Sequence, residues 1–156
     1  MIFVSFGSHY QDFSRLAKAI DLYALATDEE IIVQFGYTNY RFEHVKSFDF
    51  CNRDQMVEYI DNASIIVLQG GWGSISEAID MGKRIVVVPR INGVEHIHDQ
   101  VQLVKKLEAL ECIVAVYDIK YLGEKIHLAK TFHFKNLKRG SATDIINSKL
   151  STWFKL

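Results

Sequence analysis

The sequence predicts an α/β fold: a Rossmann-like parallel sheet with helices on both faces. Three observations predict it. Short β-branched runs lack in/out alternation, as expected of strands buried on both sides. Segments with apolar residues at helical spacing lie between those runs. Glycine-rich turns mark several of the places where a run gives way to a helix.

Taken in order, residues 2–6 form an apolar run closed by Gly7-Ser8, and Phe13, Leu16, Ala17, Ile20 and Ala24 then recur at helical spacing, with Asp12 near the start. Residues 30–35 read as a second strand ending at Gly36, and residues 45–48 as a third. Asn52 is the expected N-cap of a helix carrying Met56, Val57 and Ile60. A fourth strand, 64–68, leads into the turn Gly70-Gly71-Trp72-Gly73-Ser74 and a helix through Ser76, Ala78 and Ile79, which Gly82 ends in a left-handed cap. Residues 84–88 form a fifth strand stopped by Pro89, residues 100–110 a helix, and residues 112–116 a sixth strand. After Asp118 the pattern weakens. Residues 131–140 read as a connector, and Ile145, Ile146, Leu150, Trp153 and Phe154 as one stripe of a final helix.

The 156 residues amount to one domain, 49% hydrophobic and 24% charged, an ordinary soluble composition. The expected division is a sheet domain over 1–118 and a basic helical extension over 119–156, either part of the same domain or docked on a partner. Cys51 and Cys112 match no metal or disulfide spacing and read as buried thiols in a reducing compartment. Met1 runs straight into Ile2-Phe3-Val4, so no cleaved leader is expected, and no apolar stretch approaches the roughly 20 residues of a membrane helix. A cytoplasmic protein is expected, with no nucleic acid among its partners. The net charge of −1 is uneven: residues 119–156 hold eight Lys and Arg against Glu124 and Asp144. That asymmetry fits either an electrostatic contact with an anionic partner or a solvated helix face.

Chemistry concentrates in three loops. The turn at 70–74 joins a buried strand to a helix, where glycines admit close backbone approach and unpaired amides meet the positive end of the helix dipole. A diphosphate suits that environment, with Ser74 adding a hydroxyl and Glu77, one turn on, able to accept ribose hydroxyls. A plain tight turn with Glu77 as dipole partner satisfies the same pattern. The turn lacks the third glycine of the dinucleotide fingerprint and the Gly-Lys-Ser/Thr of a P-loop. Gly7-Ser8-His9 closes the first strand; His9 there either contacts phosphate, transfers a proton or caps the following helix. Glu95-His96-Ile97-His98-Asp99-Gln100 forms a third polar loop. Its His-X-His-Asp lacks a second ligand cluster, so no metal or other cofactor is expected. Gln100 suits sugar hydroxyls, and Asp99 an N-cap.

Together, Phe6-Gly7-Ser8 with Phe13-Ser14-Arg15-Leu16, then 70–78, then 82–90 and the segment from Glu95 to Gln100 resemble the C-terminal domain of family 28 glycosyltransferases. The stand-alone versions are more similar still: the catalytic subunit of the two-part transferase that adds the second N-acetylglucosamine to dolichol diphosphate, and bacterial relatives in exopolysaccharide and capsule synthesis. The resemblance covers roughly residues 1–118. It implies the C-terminal half of a GT-B enzyme, binding a UDP-sugar without metal. Gly7, Ser8, Gly71, Gly73 and Ser74 would then hold the diphosphate, Glu77 the ribose and Gln100 the sugar, with Phe50-Cys51 near uracil and His9 the local candidate for a catalytic base. The chain departs from the family at Gln69, often His, at Trp72, often small, and in a 95–100 segment one residue shorter than in common bacterial versions.

A GT-B site lies between two such domains, so the resemblance further implies a membrane-anchored partner subunit presenting a lipid-linked acceptor. This chain would then sit at the inner face of the membrane. A non-catalytic regulatory subunit and an unrelated nucleotide-binding protein remain the alternatives. Deleting residues 141–156 is expected to weaken partner binding or membrane recruitment; co-purification with the partner and flotation with vesicles check this, and unchanged recovery removes the role.

Overall fold

The computed structural model describes residues 1–137, together with Ile146, Lys149 and Thr152. Six parallel strands build one sheet: β1 (Ile2–Ser5), β2 (Ile31–Gln34), β3 (Lys46–Phe48), β4 (Ile65–Gln69), β5 (Ile85–Val88) and β6 (Val114–Ala115). Their order is β3-β2-β1-β4-β5-β6. Five helices connect and cover them: α1 (Ser14–Ala24), α2 (Arg53–Asn62), α3 (Trp72–Asp80), α4 (Val101–Ala109) and α5 (Leu122–Thr131). The expected Rossmann-like sheet is present, with strand and helix ends shifted by one or two residues.

The unalternating strands have the cause inferred for them: both faces are buried. Ile2, Val4, Val33, Val67 and Val86 face α1 and α5, packing on Leu16, Ile20, Leu122 and Ile126. Phe3, Ile66, Leu68, Ile85 and Val87 face the other way, onto Ile60, Ile75, Ile79, Val104 and Leu107. Val4 pairs with Val33 on one side and Val67 on the other, so β1 is the central strand of the crossover.

Helix ends follow local chemistry. Asn52 accepts from the Gln55 amide while the Gln55 side chain accepts from the Asn52 amide, a full capping box for α2. For α1 the cap comes from further out: Asp12 Oδ2 accepts from the Ser14 amide at 2.9 Å, so the helix starts at Ser14. Asp99 does the same for α4, accepting from the Val101 amide at 2.8 Å. Gly82 follows α3 with φ +66°, the left-handed end expected of it.

The weak pattern after Asp118 conceals α5, preceded by a 3-10 turn over Ile119–Tyr121. Leu122, Ile126 and Ala129 are buried and complete the core under α1, so the start of the basic extension belongs to the same packed body. Three of its lysines pair with acids: Lys120 with Asp118 at 2.8 Å, Lys130 with Glu29 and Lys135 with Glu111. The final helix stripe expected at 145–154 lies outside the described residues except for Ile146, which is exposed. Among the described residues, no helix is long and apolar enough to cross a membrane. Both cysteines are free; Cys112 is buried, whereas Cys51 is only half-buried.

The backbone runs close together where β1 and β2 release the chain. Gly7 has φ +76° and Gly36 φ +58°, and a Cβ on Gly36 would stand 2.6 Å from the Gly7 carbonyl oxygen. Gly36→Ala combines a left-handed backbone with that clash, so a stability loss of at least about 1–2 kcal/mol is expected in thermal or urea unfolding.

Candidate functional site

The strand order reverses direction between β1 and β4, so the loops leaving these neighbours diverge and open a crevice at their carboxyl ends. A cavity of about 230 Å³ occupies it, reaching from Gly7, Ser8 and Gln34 to Phe50, Cys51, Ser74 and Glu77. Four of the expected site residues, Gly7, Ser8, Ser74 and Glu77, therefore line one pocket, together with the Phe50-Cys51 segment. Burial pushes the Cys51 thiol above the usual cysteine range, so it is uncharged there near neutrality.

Gly71 and Gly73 lie in the turn beside this pocket. Gly71 is the N-cap of α3 and brings no capping side chain, which leaves the helix end suited to an anion. A Cβ on Gly71 would sit 2.3 Å from Gln69 Nε2, and one on Gly70 would sit 2.7 Å from the Gln100 side chain. Gly70 is required by the packing of the Gln100 Cβ under the turn, whereas a side chain at 71 needs the end of Gln69 to move. Gly73 differs: a Cβ there would meet nothing within 4 Å, so its bareness leaves open space above the helix end.

Glu77 is half-buried and its Oε1 accepts from Arg53 Nη2 at 2.8 Å, across from the start of α2. The pair is exposed on the Arg53 side and worth little to stability. It fixes the carboxylate at the pocket mouth.

Gln100 is buried beneath the turn. Its Oε1 accepts from the amides of Gly70 at 3.0 Å and Arg90 at 2.9 Å, and its Nε2 donates to Gln69 Oε1 at 2.6 Å. The side chain clasps the ends of β4 and β5. Gln69, the departure from the family pattern, is thereby part of the frame.

His9 lies outside the pocket lining. Its ring stacks on Tyr10 and stands 4.3 Å from the His96 ring, between centroids. Nδ1 accepts from the Gln11 amide at 3.3 Å, which places the proton of the neutral imidazole on Nε2. Burial, then the nearby charges of His96, Arg90 and His98, hold its pKa below the ordinary histidine value. His9 is thus a neutral donor as it stands; to act as a base it has to release Gln11. His98 is exposed, and among the described residues no group of three or more His, Cys, Asp or Glu side chains is placed to hold a metal.

Two polar networks were not read from the sequence. Gln34, at the end of β2, takes the Ser5 hydroxyl at 2.8 Å and the Gly7 amide at 3.2 Å on Oε1, and gives Nε2 to the carbonyls of Gly7 and Asp49. It fixes the Gly7 loop. Arg90 is 1% exposed and donates to the carbonyls of Phe6 at 3.0 Å, Gln11 at 2.8 Å, Asp12 at 3.2 Å and Glu95 at 3.2 Å, with Phe13 under its face at 4.3 Å. Burial brings its pKa down to about 10, still charged at neutrality. Arg15 forks onto Glu95 at 3.0 and 2.9 Å, while Glu95 also accepts from the Ile91 amide. Arg15, Arg90 and Glu95 all stand in segments that carry the family resemblance, but a lone arginine after a strand does not announce its burial.

The six-stranded parallel sheet with an open crevice at its switch point is a Rossmann-like domain matching the C-terminal half of GT-B glycosyltransferases. The chain belongs to the glycosyltransferase family 28 C-terminal domain family, whose sequence model matches residues 1–149. No curated protein matches the sequence. Among solved structures, the glycosyltransferase of kitacinnamycin is similar at TM-score 0.64 and 21% identity over 82% of this chain and 34% of its own. The UDP-GlcNAc 2-epimerase from Neisseria meningitidis bound to UDP-GlcNAc follows at 0.59 and 15%, over 97% of this chain and 43% of its own. Acinetobacter baumannii MurG gives 0.59 and 14%, over 97% and 49%. At these identities the likeness is one of fold, and the chain spans only a third to a half of each structure's length.

Arg90→Met is expected to cost about 3 kcal/mol or more, because it strips donors from several buried carbonyls at once. Chemical denaturation checks this; a loss under 1 kcal/mol would mean that water replaces the guanidinium.

Proposed function

We propose that this chain is the donor-binding half of an inverting, UDP-sugar-dependent glycosyltransferase. The observation that carries the reading is the meeting of Gly7, Ser8, Ser74 and Glu77 in one pocket at the switch point, beside the uncapped end of α3. Family membership supports the reaction class. A neighbour of the same fold holding UDP-GlcNAc supports the donor class.

In this reading the uridine enters between the Phe50-Cys51 segment and Glu77. The carboxylate accepts ribose hydroxyls, and its hydrogen bond from Arg53 keeps it aimed. The diphosphate lies over the glycine turn, hydrogen-bonded by amides of the α3 N-terminus and by the Ser74 hydroxyl. An acceptor hydroxyl attacks the anomeric carbon from the face opposite the diphosphate. The new C–O bond forms as the bond to the β-phosphate oxygen breaks, and the electron pair leaves with UDP. The helix end and Ser74 stabilise the charge that grows there, the task a metal performs elsewhere. The acceptor proton passes to a base that we place on the partner, given the tautomer of His9. Gln100 acts through the turn it holds and through its remaining amide hydrogen.

We assign the acceptor to the lipid-linked class and the pathway to bacterial exopolysaccharide or capsule synthesis. A membrane-anchored partner subunit would complete the cleft and hold this chain at the cytoplasmic face. The match to only a third to a half of its structural relatives supports a site shared with a second half.

Glu77→Ala is expected to weaken UDP binding at least tenfold while leaving the unfolding transition in place, since the carboxylate makes no core contact. Calorimetric titration with UDP and ADP tests the affinity, and thermal unfolding tests the transition. Unchanged UDP affinity removes Glu77 from the site, and a preference for ADP overturns the donor assignment.

A further inference from the structure

The loop that follows β5 is knotted onto itself. The Ile91 carbonyl collects the amides of Val94 at 3.2 Å, Glu95 at 2.8 Å and His96 at 3.2 Å, and the Gly93 amide donates to the His96 carbonyl at 2.8 Å. Gly93 permits this turn with φ +76°. The Glu95 carboxylate then clamps the loop to α1, accepting the fork of Arg15 together with the Ile91 amide. The loop after β1 leans on this frame through the rings of His9 and His96.

The frame carries bare apolar side chains. Val94, 71% exposed, and Tyr10, 69% exposed, are the two most exposed large apolar residues among the described ones. Ile97 is 60% exposed and Ile91 about half. Single exposed apolar residues are ordinary. Four of them on two touching, hydrogen-bonded loops have the form of an interface anchor. Their backbone is ordered before a partner arrives, so docking costs little conformational entropy.

Charge identifies the kind of partner. Residues 7–12 and 91–99 contain no Lys or Arg, and their acids are Asp12, Glu95 and Asp99. Asp12 and Asp99 are exposed. Beneath the patch, Arg15 is engaged by Glu95 and Arg90 by loop carbonyls. An anionic bilayer calls for cations around the apolar residues that enter it, and this patch has none to offer. Its complement is a protein face with an apolar socket and a basic rim. The patch lies beside the crevice, since β4, which ends in the glycine turn, stands between β1 and β5.

We propose that Tyr10, Val94 and Ile97 are the anchor on which the partner subunit docks, on the β5 side of the crevice. The identity of the partner as a membrane-anchored half-transferase rests on the reading above. The anchor itself rests on the exposure, bracing and charge of the two loops.

The test places a photo-crosslinking amino acid at position 94, at position 97 and, for comparison, at position 22. Leu22 is 65% exposed but stands on α1. Each full chain is produced in its native cells, and the crosslinked species are identified by mass spectrometry. Positions 94 and 97 are expected to capture the same protein, one with a membrane helix and a second α/β half-domain, and position 22 is not. Val94→Asp combined with Ile97→Asp is expected to cut co-purification of that protein at least about tenfold, because it puts two charges into an apolar contact. Val94→Leu is expected to stay within about threefold. Thermal unfolding and UDP affinity, unchanged in these variants, report that fold and crevice are intact. Crosslinks from 94 and 97 to a second copy of this chain, to lipid, or to no protein beyond those reached from 22 would overturn the anchor. Undiminished co-purification of the Asp variant does the same. Failure of the donor reading looks different: UDP does not bind the wild type, while 94 and 97 still capture the partner.

Discussion

A single buried guanidinium sets the geometry of the carboxyl edge of this sheet. Arg90 leaves the end of β5 and reaches past the end of β4 to hydrogen-bond the backbone of the β1 loop at Phe6, Gln11 and Asp12. Those segments are separated by more than 70 residues of chain, and nothing apolar could join them at this level, because loop carbonyls need donors. Arginine suits the position where lysine would not: its planar fork serves several carbonyls at fixed angles, and its flat face rests on Phe13. The cost is a buried charge without a carboxylate of its own. Arg15 and Glu95 form a second layer alongside, tying α1 to the same β5 loop. The Gly7-Ser8 loop and the 91–100 loop are thus held by one connected polar network.

The same device recurs at the last residue of other strands. Ser5, Gln34 and Gln69 end β1, β2 and β4, where a buried strand meets an open crevice, and each side chain turns to brace a loop. Gln34 fixes Gly7 from the β2 side, and Gln69 with Gln100 fixes Gly70 from the β5 side. The glycine turn and the first loop are therefore shaped before any ligand arrives. Binding there need not order the backbone, which is the main cost that flexible phosphate loops incur.

This explains what was legible in the sequence. Strands buried on both faces leave an unmistakable mark in residues such as Ile65 to Leu68, and a capping box is written locally at Asn52 and Gln55. Gly7, Ser8, Ser74 and Glu77 were readable as candidates because they stand at strand ends and a helix start, and the topology brings them together. Pairings over long sequence distance were not readable. Gln34 with Gly7, Arg90 with Phe6 and Gln100 with Gly70 are single polar residues whose partners are backbone atoms, and backbone atoms carry no sequence signature. For that reason the clasp of Gln100 on the Gly70 and Arg90 amides left no mark beside its reading as a sugar-binding residue. α5 was missed because its narrow buried side, Leu122, Ile126 and Ala129, is set among lysines and a glycine that dilute the period.

The helices α2 and α3 begin in contrasting ways. Both helices lie on the same face of the sheet and start near the crevice. The first is closed by reciprocal Asn52 and Gln55 bonds, whereas the second begins at Gly71 with no side-chain acceptor. A side-chain cap is worth about 1 kcal/mol, and Ser, Thr, Asn or Asp in place of Gly71 would ordinarily supply it. Here a Cβ at 71 would stand 2.3 Å from Gln69 Nε2, so a capping side chain needs the Gln69 amide to move, and a Cβ on the neighbouring Gly73 would meet nothing within 4 Å. The Gln69 amide that braces the turn therefore stands against an internal cap. An external anion is the acceptor that such an end lacks.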